Sequence, residues 1–237
     1  MGIEMGGSTA VYIDGYNLYY GRIRGTRYKW VDLVALFDSV VRKQAPDSQV
    51  EVVRYFSAYC LANFATHGTD SAEAQNRYLR VHEMKHGPRF CKTMGTHTHD
   101  RYGISMPRYV EGSRFNRRDR VKVWRLDEKQ TDVNIALAMY RDARSGRFSQ
   151  LVICSNDSDV EPVLRAIRED FPGIRIGVIT PRPPPESGTR SHRNVMSSLS
   201  KHADWTRSHI HDEELATCQL PSRIHTGKRP LVKPDHW

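Results

Sequence analysis

The stretch TAVYIDGYNLYYG, Thr9 to Gly21, opens as a strand and closes as something else. Ala10, Val11, Tyr12 and Ile13 are apolar in succession, as in a strand covered on both faces. An acid, Asp14, ends the run, and Gly15, Tyr16 and the amide Asn17 follow. In open parallel sheets, ligands gather beyond the carboxyl ends of strands, so an acid in this position is a candidate site residue.

The same grammar recurs along the chain. Further strands are expected at 50–58, 89–93, 121–124, 151–154 and 174–180. Leu33, Leu36, Phe37, Val40 and Val41 recur at helical spacing, as do Val160, Val163, Leu164 and Ile167. A helix over 70–86 is expected to stop at Gly87-Pro88, and another covers TDVNIALAMYRDA, Thr131 to Ala143. Alternation of this kind predicts an α/β fold with a mostly parallel central sheet. Residues 1–8 read as a flexible leader, 9–221 as one domain with an irregular basic excursion at 95–120, and 222–237 as a loose tail. PRPPPESGTRSHR, Pro181 to Arg193, reads as a surface loop.

Composition narrows the class. Of the 237 residues, 38% are hydrophobic and 27% charged, as in globular proteins. No apolar window is long enough to span a bilayer. The four cysteines form no C-x-x-C pair, and a cytoplasmic chain without disulfides is expected. The net charge of +9 calls for an anionic partner, nucleic acid before a membrane surface. Residues 101–130 hold nine Lys/Arg against four Asp/Glu, with Phe115 and Trp124 interleaved. Such a segment is either a solvated loop or a groove that tracks a phosphate backbone.

Two further acid positions matter. LVICSNDSD, Leu151 to Asp159, is a second strand that ends in acids, at Asp157 and Asp159. On a helical wheel, Asp132 falls within an arc of Ala136, Tyr140, Val133, Leu137, Met139, Ile135 and Ala143, at the N-terminal end of that face. Each acid has a plainer role open to it. Asp157 and Asp159 suit a helix cap, Asp14 a turn, and Asp132 a first-turn position with Lys129 as ion partner. If all four share one rim, their repulsion raises their pKa values, and a hard divalent cation, Mg²⁺ or Mn²⁺, relieves it.

YIDGYNLYYG, EKQTDVNIALAMYRDA and ICSNDSDVEPVLRAI together resemble the NYN domain family, in its LabA-like group, a branch of the PIN-like metal-dependent ribonucleases. The resemblance spans Thr9 to Pro221. It implies a PIN-like, Rossmann-type three-layer sandwich and hydrolysis of RNA phosphodiester bonds with Mg²⁺ or Mn²⁺, leaving a 5′-phosphate and a 3′-hydroxyl. It implies metal-ligand and catalytic roles for Asp14, Asp132, Asp157 and Asp159, and orienting roles for Asn17 and Ser155. Lys129 matches a family lysine placed to touch a phosphate. Arg117, Arg118, Arg120, Lys122 and Arg125 are the candidates for holding the RNA backbone. The sequence is compatible with a homo-oligomer.

Two positions depart from the family pattern. Asn156 and Gln130 stand where glycine is common. Asn tolerates left-handed backbone, yet its side chain could crowd a phosphate, so an inactive RNA-binding or regulatory module is the alternative function. A phosphohydrolase acting on a small phosphorylated molecule would use the same acids. HEMKH, His82 to His86, fits the H-E-x-x-H zinc motif, but its helix stops at once, and one or both histidines are expected as half-buried packing residues. Cys91, His97 and His99 fit no standard zinc spacing.

Overall fold

The computed structural model describes residues 7–185, 197–227 and 229–237. In chain order its elements are β1 (Gly7–Asp14), α1 (Gly15–Leu18) with a π turn (Tyr19–Ile23), α2 (Leu33–Gln44), β2 (Ser48–Ala58), α3 (Thr69–His86), β3 (Phe90–His99), β4 (Ile104–Pro107), β5 (Arg120–Val123), β6 (Leu126–Lys129), α4 (Thr131–Ser145), β7 (Gln150–Cys154), α5 (Glu161–Asp170), β8 (Arg175–Ile179), α6 (Ser197–Ser200), β9 (Trp205–Arg207), α7 (Asp212–Thr217), β10 (Arg223–Ile224) and β11 (Leu231–Val232).

Seven strands form one sheet in the order β6-β3-β2-β1-β7-β8-β9. All its pairings are parallel except β3 with β6. The chain grows outward from β1 in one direction through β2 and β3, and in the other through β7, β8 and β9. The β1–β7 junction is therefore the switch point where such sheets open a crevice.

Alternation along β1 explains the three layers. Val11 and Ile13 face the core built with α2 and α3, through Leu36, Phe37, Val40 and Leu79. Ala10 and Tyr12 face the other core, with Ile135 and Met139 of α4 and Leu164 and Ile167 of α5. A strand buried on both faces has no polar side to show, hence the continuous apolar run. Each large aliphatic side chain buried here contributes about 1.5–3 kcal/mol.

The expected helices and core strands lie within a few residues of their predicted positions; the edges differ. Gly7 and Ser8, expected in the leader, already pair with Ser48 and Gln49. Residues 1–6 and the loop beyond 185, to Arg193, lie outside the described residues. The excursion at 95–120 is largely a two-stranded arm. Asp14 pairs with Phe56, and Phe56 with Thr93, so Thr93 lies level with Asp14. From there β3 runs on to His99, paired antiparallel with β6. At about 3.3 Å per residue, the ribbon overhangs the carboxyl edge by roughly 20 Å. The antiparallel hairpin β4–β5 follows between its two strands. The strand expected at 121–124 is thus β5, outside the central sheet. The segment from 222, expected to be loose, carries the β10–β11 hairpin, and the Trp237 ring lies 5.9 Å from Trp30.

The apolar face of α4 is narrower than the wheel implied. Thr131, Ile135, Met139 and Ala143 are buried. Val133 and Leu137 are 62% and 47% exposed, because the sheet covers only one stripe of the helix.

Candidate functional site

Asp14 is buried at the end of β1, and its two carboxylate oxygens are held separately. Oδ1 accepts from the Asn17 backbone N–H at 2.9 Å. Oδ2 accepts from Asn17 Nδ2 at 2.7 Å and from Ser155 Oγ at 3.0 Å. Gly15 permits this sharp exit: a Cβ there would stand 2.8 Å from the Phe56 carbonyl oxygen. Register supplies Ser155, since Ile13 pairs with Cys154 and the next residues meet beyond the strand ends. The lattice continues outward. The Asp157 N–H donates to Ser155 Oγ at 3.1 Å, and the Asn156 N–H to Asn17 Oδ1 at 3.3 Å. The Asp159 N–H donates to Asp157 Oδ1 at 3.0 Å, so Asp157 also caps the turn into α5, as one alternative held.

Asp132 sits in the first turn of α4, with no hydrogen bond to its carboxylate among the described residues. Lys129, its candidate ion partner, points instead to Asp127, at 3.8 Å. Burial, then the charges of Asp14, Asp157 and Asp159, push the Asp132 carboxyl up to about 6. Burial also raises Asp14; Asn17 and Ser155 oppose the shift and Asp157 adds to it. The four predicted acids therefore share one electrostatic centre, although they come from β1, α4 and the turn after β7.

A fifth acid belongs with them. Glu128 on β6 is pushed up to about 7, by burial first and then by Asp132 and Asp14. It accepts a hydrogen bond from Thr131 Oγ1. Gly95 allows this approach, because a Cβ there would collide with the Lys129 carbonyl oxygen and stand 3.0 Å from Glu128 Oε1. Opposite Glu128 in the register is His97. Its Nε2 lies 2.6 Å from the Tyr16 hydroxyl. Glu128 and Tyr16 are not among the expected site residues, and His97 stands only in a trio that fits no zinc spacing. The signals were the alternating THTH of Thr96–His99 and the acid before Lys129.

The two departures resolve unequally. Asn156 does not use left-handed backbone; Gln130 does, at φ 79°, alone among the described non-glycine residues. The Asn156 side-chain oxygen is buried without a hydrogen-bond partner.

The donor set suits a hard cation, being carboxylates that raise one another's pKa with an unpartnered amide oxygen beside them. No three His, Cys, Asp or Glu side chains among the described residues form a ready-made metal cage.

The predicted nucleic-acid contacts cluster on the arm. Arg117, Arg118 and Lys122 are exposed, and no ion pair engages them among the described residues. Arg120 bonds to Ser105, and Arg125 pairs with Asp127 at 2.6 Å. The HEMKH histidines are structural. His82 is fully buried, its Nδ1 2.9 Å from the Tyr78 carbonyl and its Nε2 accepting from the Leu33 N–H at 3.0 Å. His86 Nε2 lies 2.8 Å from Asp32. The four cysteines are free, and no helix among the described residues is long and apolar enough to cross a membrane.

A model of the NYN domain matches residues 8–199. A curated relative, 6-hydroxy-3-succinoylpyridine 3-monooxygenase HspA of Pseudomonas putida, is 35% identical over 97% of this chain and 75% of its own length. A crystal structure of a Vibrio parahaemolyticus protein of unknown function superposes with a TM-score of 0.52, at 15% identity, over 90% of this chain and 98% of that one. This last likeness concerns the fold alone.

Proposed function

The chain belongs to the NYN domain family, and from that premise we propose that it is a metal-dependent ribonuclease of the family's LabA-like branch, acting on RNA in the cytoplasm. One observation carries the reading. Asp14, Asp132, Asp157 and Asp159 come together at the carboxyl edge of the sheet, where burial and the charges of the other three push the Asp132 carboxyl up. Those four would hold Mg²⁺ or Mn²⁺. When bound, such a cation lowers the pKa of water and stabilises charge on a phosphoryl oxygen.

The chain's own residues supply the rest. Ser155 and Asn17 fix the direction of the Asp14 carboxyl through hydrogen bonds and oppose the upward push of its burial. Glu128, near 7, is placed to hold or accept a proton at neutral pH. Arg117, Arg118, Arg120, Lys122, Arg125 and Lys129 line the arm that rises from the same rim, where they would meet the phosphate backbone. Incubation of RNA with Mn²⁺ or EDTA tests the reading. Mn²⁺-dependent cleavage leaving 5′-phosphates, and abolished in Asp14→Asn, is expected; EDTA-resistant cleavage refutes it. Salt-dependent binding with no cleavage under any divalent metal would instead establish an RNA-binding module.

The 35% identity to a protein named as a pyridine monooxygenase carries a second reading, oxygenation of a hydroxylated pyridine ring. Transfer of one atom from labelled O₂ to 6-hydroxy-3-succinoylpyridine, dependent on an added reductant, would establish it.

A further inference from the structure

The acid centre has an aromatic wall that neither reading assigns. It begins at Tyr16, two residues past Asp14, whose hydroxyl is tied to His97 on the arm at 2.6 Å. The Tyr20 ring lies 5.7 Å from Tyr16 and 5.1 Å from Tyr19, which meets it edge-on at 85°. Tyr20 is 57% exposed, with Tyr19 beside it at 38%. The guanidinium of Arg24 stands 5.3 Å from the Tyr20 centroid and makes no ion pair among the described residues.

Two features fix the wall in place. Tyr19 and Tyr20 lie in a π turn, a form that recurs at functional sites. Gly21 packs so closely on the Pro181 carbonyl that a Cβ would collide with it. Burial of a tyrosine in the core is the usual use of its apolar face; here Tyr20, in the turn that follows the end of β1, stays more than half exposed.

We propose that Tyr20, supported by Tyr19 and Arg24, is a ring-stacking subsite for a planar heteroaromatic ring that carries an anionic group, and that its occupant is a nucleobase of single-stranded RNA. Tyr20 offers the stacking surface, while Arg24 offers a cation to the phosphate attached to that base. The nucleobase assignment rests on the ribonuclease reading. A free substituted pyridine shares the ring chemistry and is the competing source.

The test uses the full chain in EDTA, with binding followed by fluorescence anisotropy or calorimetry. The probes are a short single-stranded oligoribonucleotide, its abasic counterpart, and 6-hydroxy-3-succinoylpyridine. Tyr20→Ala is expected to weaken the oligoribonucleotide about 5- to 150-fold. Tyr20→Trp should restore it, and the abasic strand should be indifferent to both. Unchanged binding in Tyr20→Ala overturns the subsite, whereas Mn²⁺-dependent cleavage measured alongside reports separately on the ribonuclease reading. Tyr20-dependent binding of the pyridine without binding of the strand overturns the nucleobase assignment, and the cleavage assay alone decides the ribonuclease. Binding of neither probe overturns the subsite.

Discussion

Ser155 Oγ donates to Asp14 Oδ2 across 3.0 Å, bridging the ends of two adjacent strands at the sheet's switch point. The same oxygen accepts from the Asp157 N–H, so one hydroxyl aligns two candidate ligands. Ser155→Ala removes both bonds from a buried position. We expect metal-dependent cleavage to fall about 10- to 100-fold, the range for groups that orient metal ligands. Initial rates at saturating Mn²⁺ and a melting curve decide it: full activity sinks the assigned role.

The raised carboxyls make the acid centre a local cost at neutral pH. Asp132, folded near 6 against 3.8 as its ordinary value, binds a proton more tightly in the native state. Its contribution favours folding below about pH 4 and is lost as pH rises through 6. In EDTA at pH 7.5, Asp132→Asn should therefore be more stable than the parent. After discounting for its half-exposed position, the gain is about 1 kcal/mol, or ~2–4 °C in Tm. Mg²⁺ or Mn²⁺ should raise the parent's Tm and leave the variant's nearly unmoved.

His82 titrates in the opposite sense. Burial presses its pKa down to about 4, because the ring is held neutral between Tyr78 and Leu33. Stability is fully present above about 6.5 and falls as pH drops toward 4, where the unfolded imidazole protonates first. The His82 ring resonance in NMR should stay flat from pH 8 to about 5. A midpoint near 6.5 would show that the ring is not held as described.

Gln130 occupies left-handed backbone at the β6–α4 junction, where its Cβ is disfavoured. Gln130→Gly should stabilise the fold by about 1 kcal/mol. Gln130→Ala, which keeps the Cβ, should give no gain. Chemical denaturation of the three proteins compares them directly.

On the proposed function, Arg117, Arg118 and Lys122, which no ion pair engages among the described residues, would set the salt dependence of RNA binding. Each phosphate contact on a single strand contributes about −0.7 to the slope of log K against log salt. Replacing Arg117, Arg118 and Lys122 with alanine should flatten that slope by about 2, with little change in melting temperature. A slope that does not move places the RNA elsewhere.

Much of this was legible in the sequence, for a physical reason. Ala10–Asp14 and Leu151–Cys154 are buried on both faces, so burial wrote itself into continuous apolar runs. Acids at the ends of such runs stand out, as Asp14 and Asp157 do. The arm left no comparable trace. It has no well-buried face, so β3 beyond Gly95 and the four residues of β6 show little hydrophobic alternation, and their pairing joins residues about thirty apart. Glu128 and His97 went unassigned with it. His82 was misleading in another way: its motif resembles a zinc site, and only the contact with Leu33 across 49 residues shows it serving a helix end.

The junction at Gln130 has a consequence for how substrate and metal sense each other. Glu128 lies on one side of that joint, on the overhanging ribbon, and Asp132 lies on the other, in a helix anchored by Ile135, Met139 and Ala143. The hydrogen bond from Thr131 ties the two sides together. On the proposed function, a strand of RNA held on the arm would act on a cation seated among the acids, and that cation on the arm. By linkage, each would alter the other's affinity by the same factor.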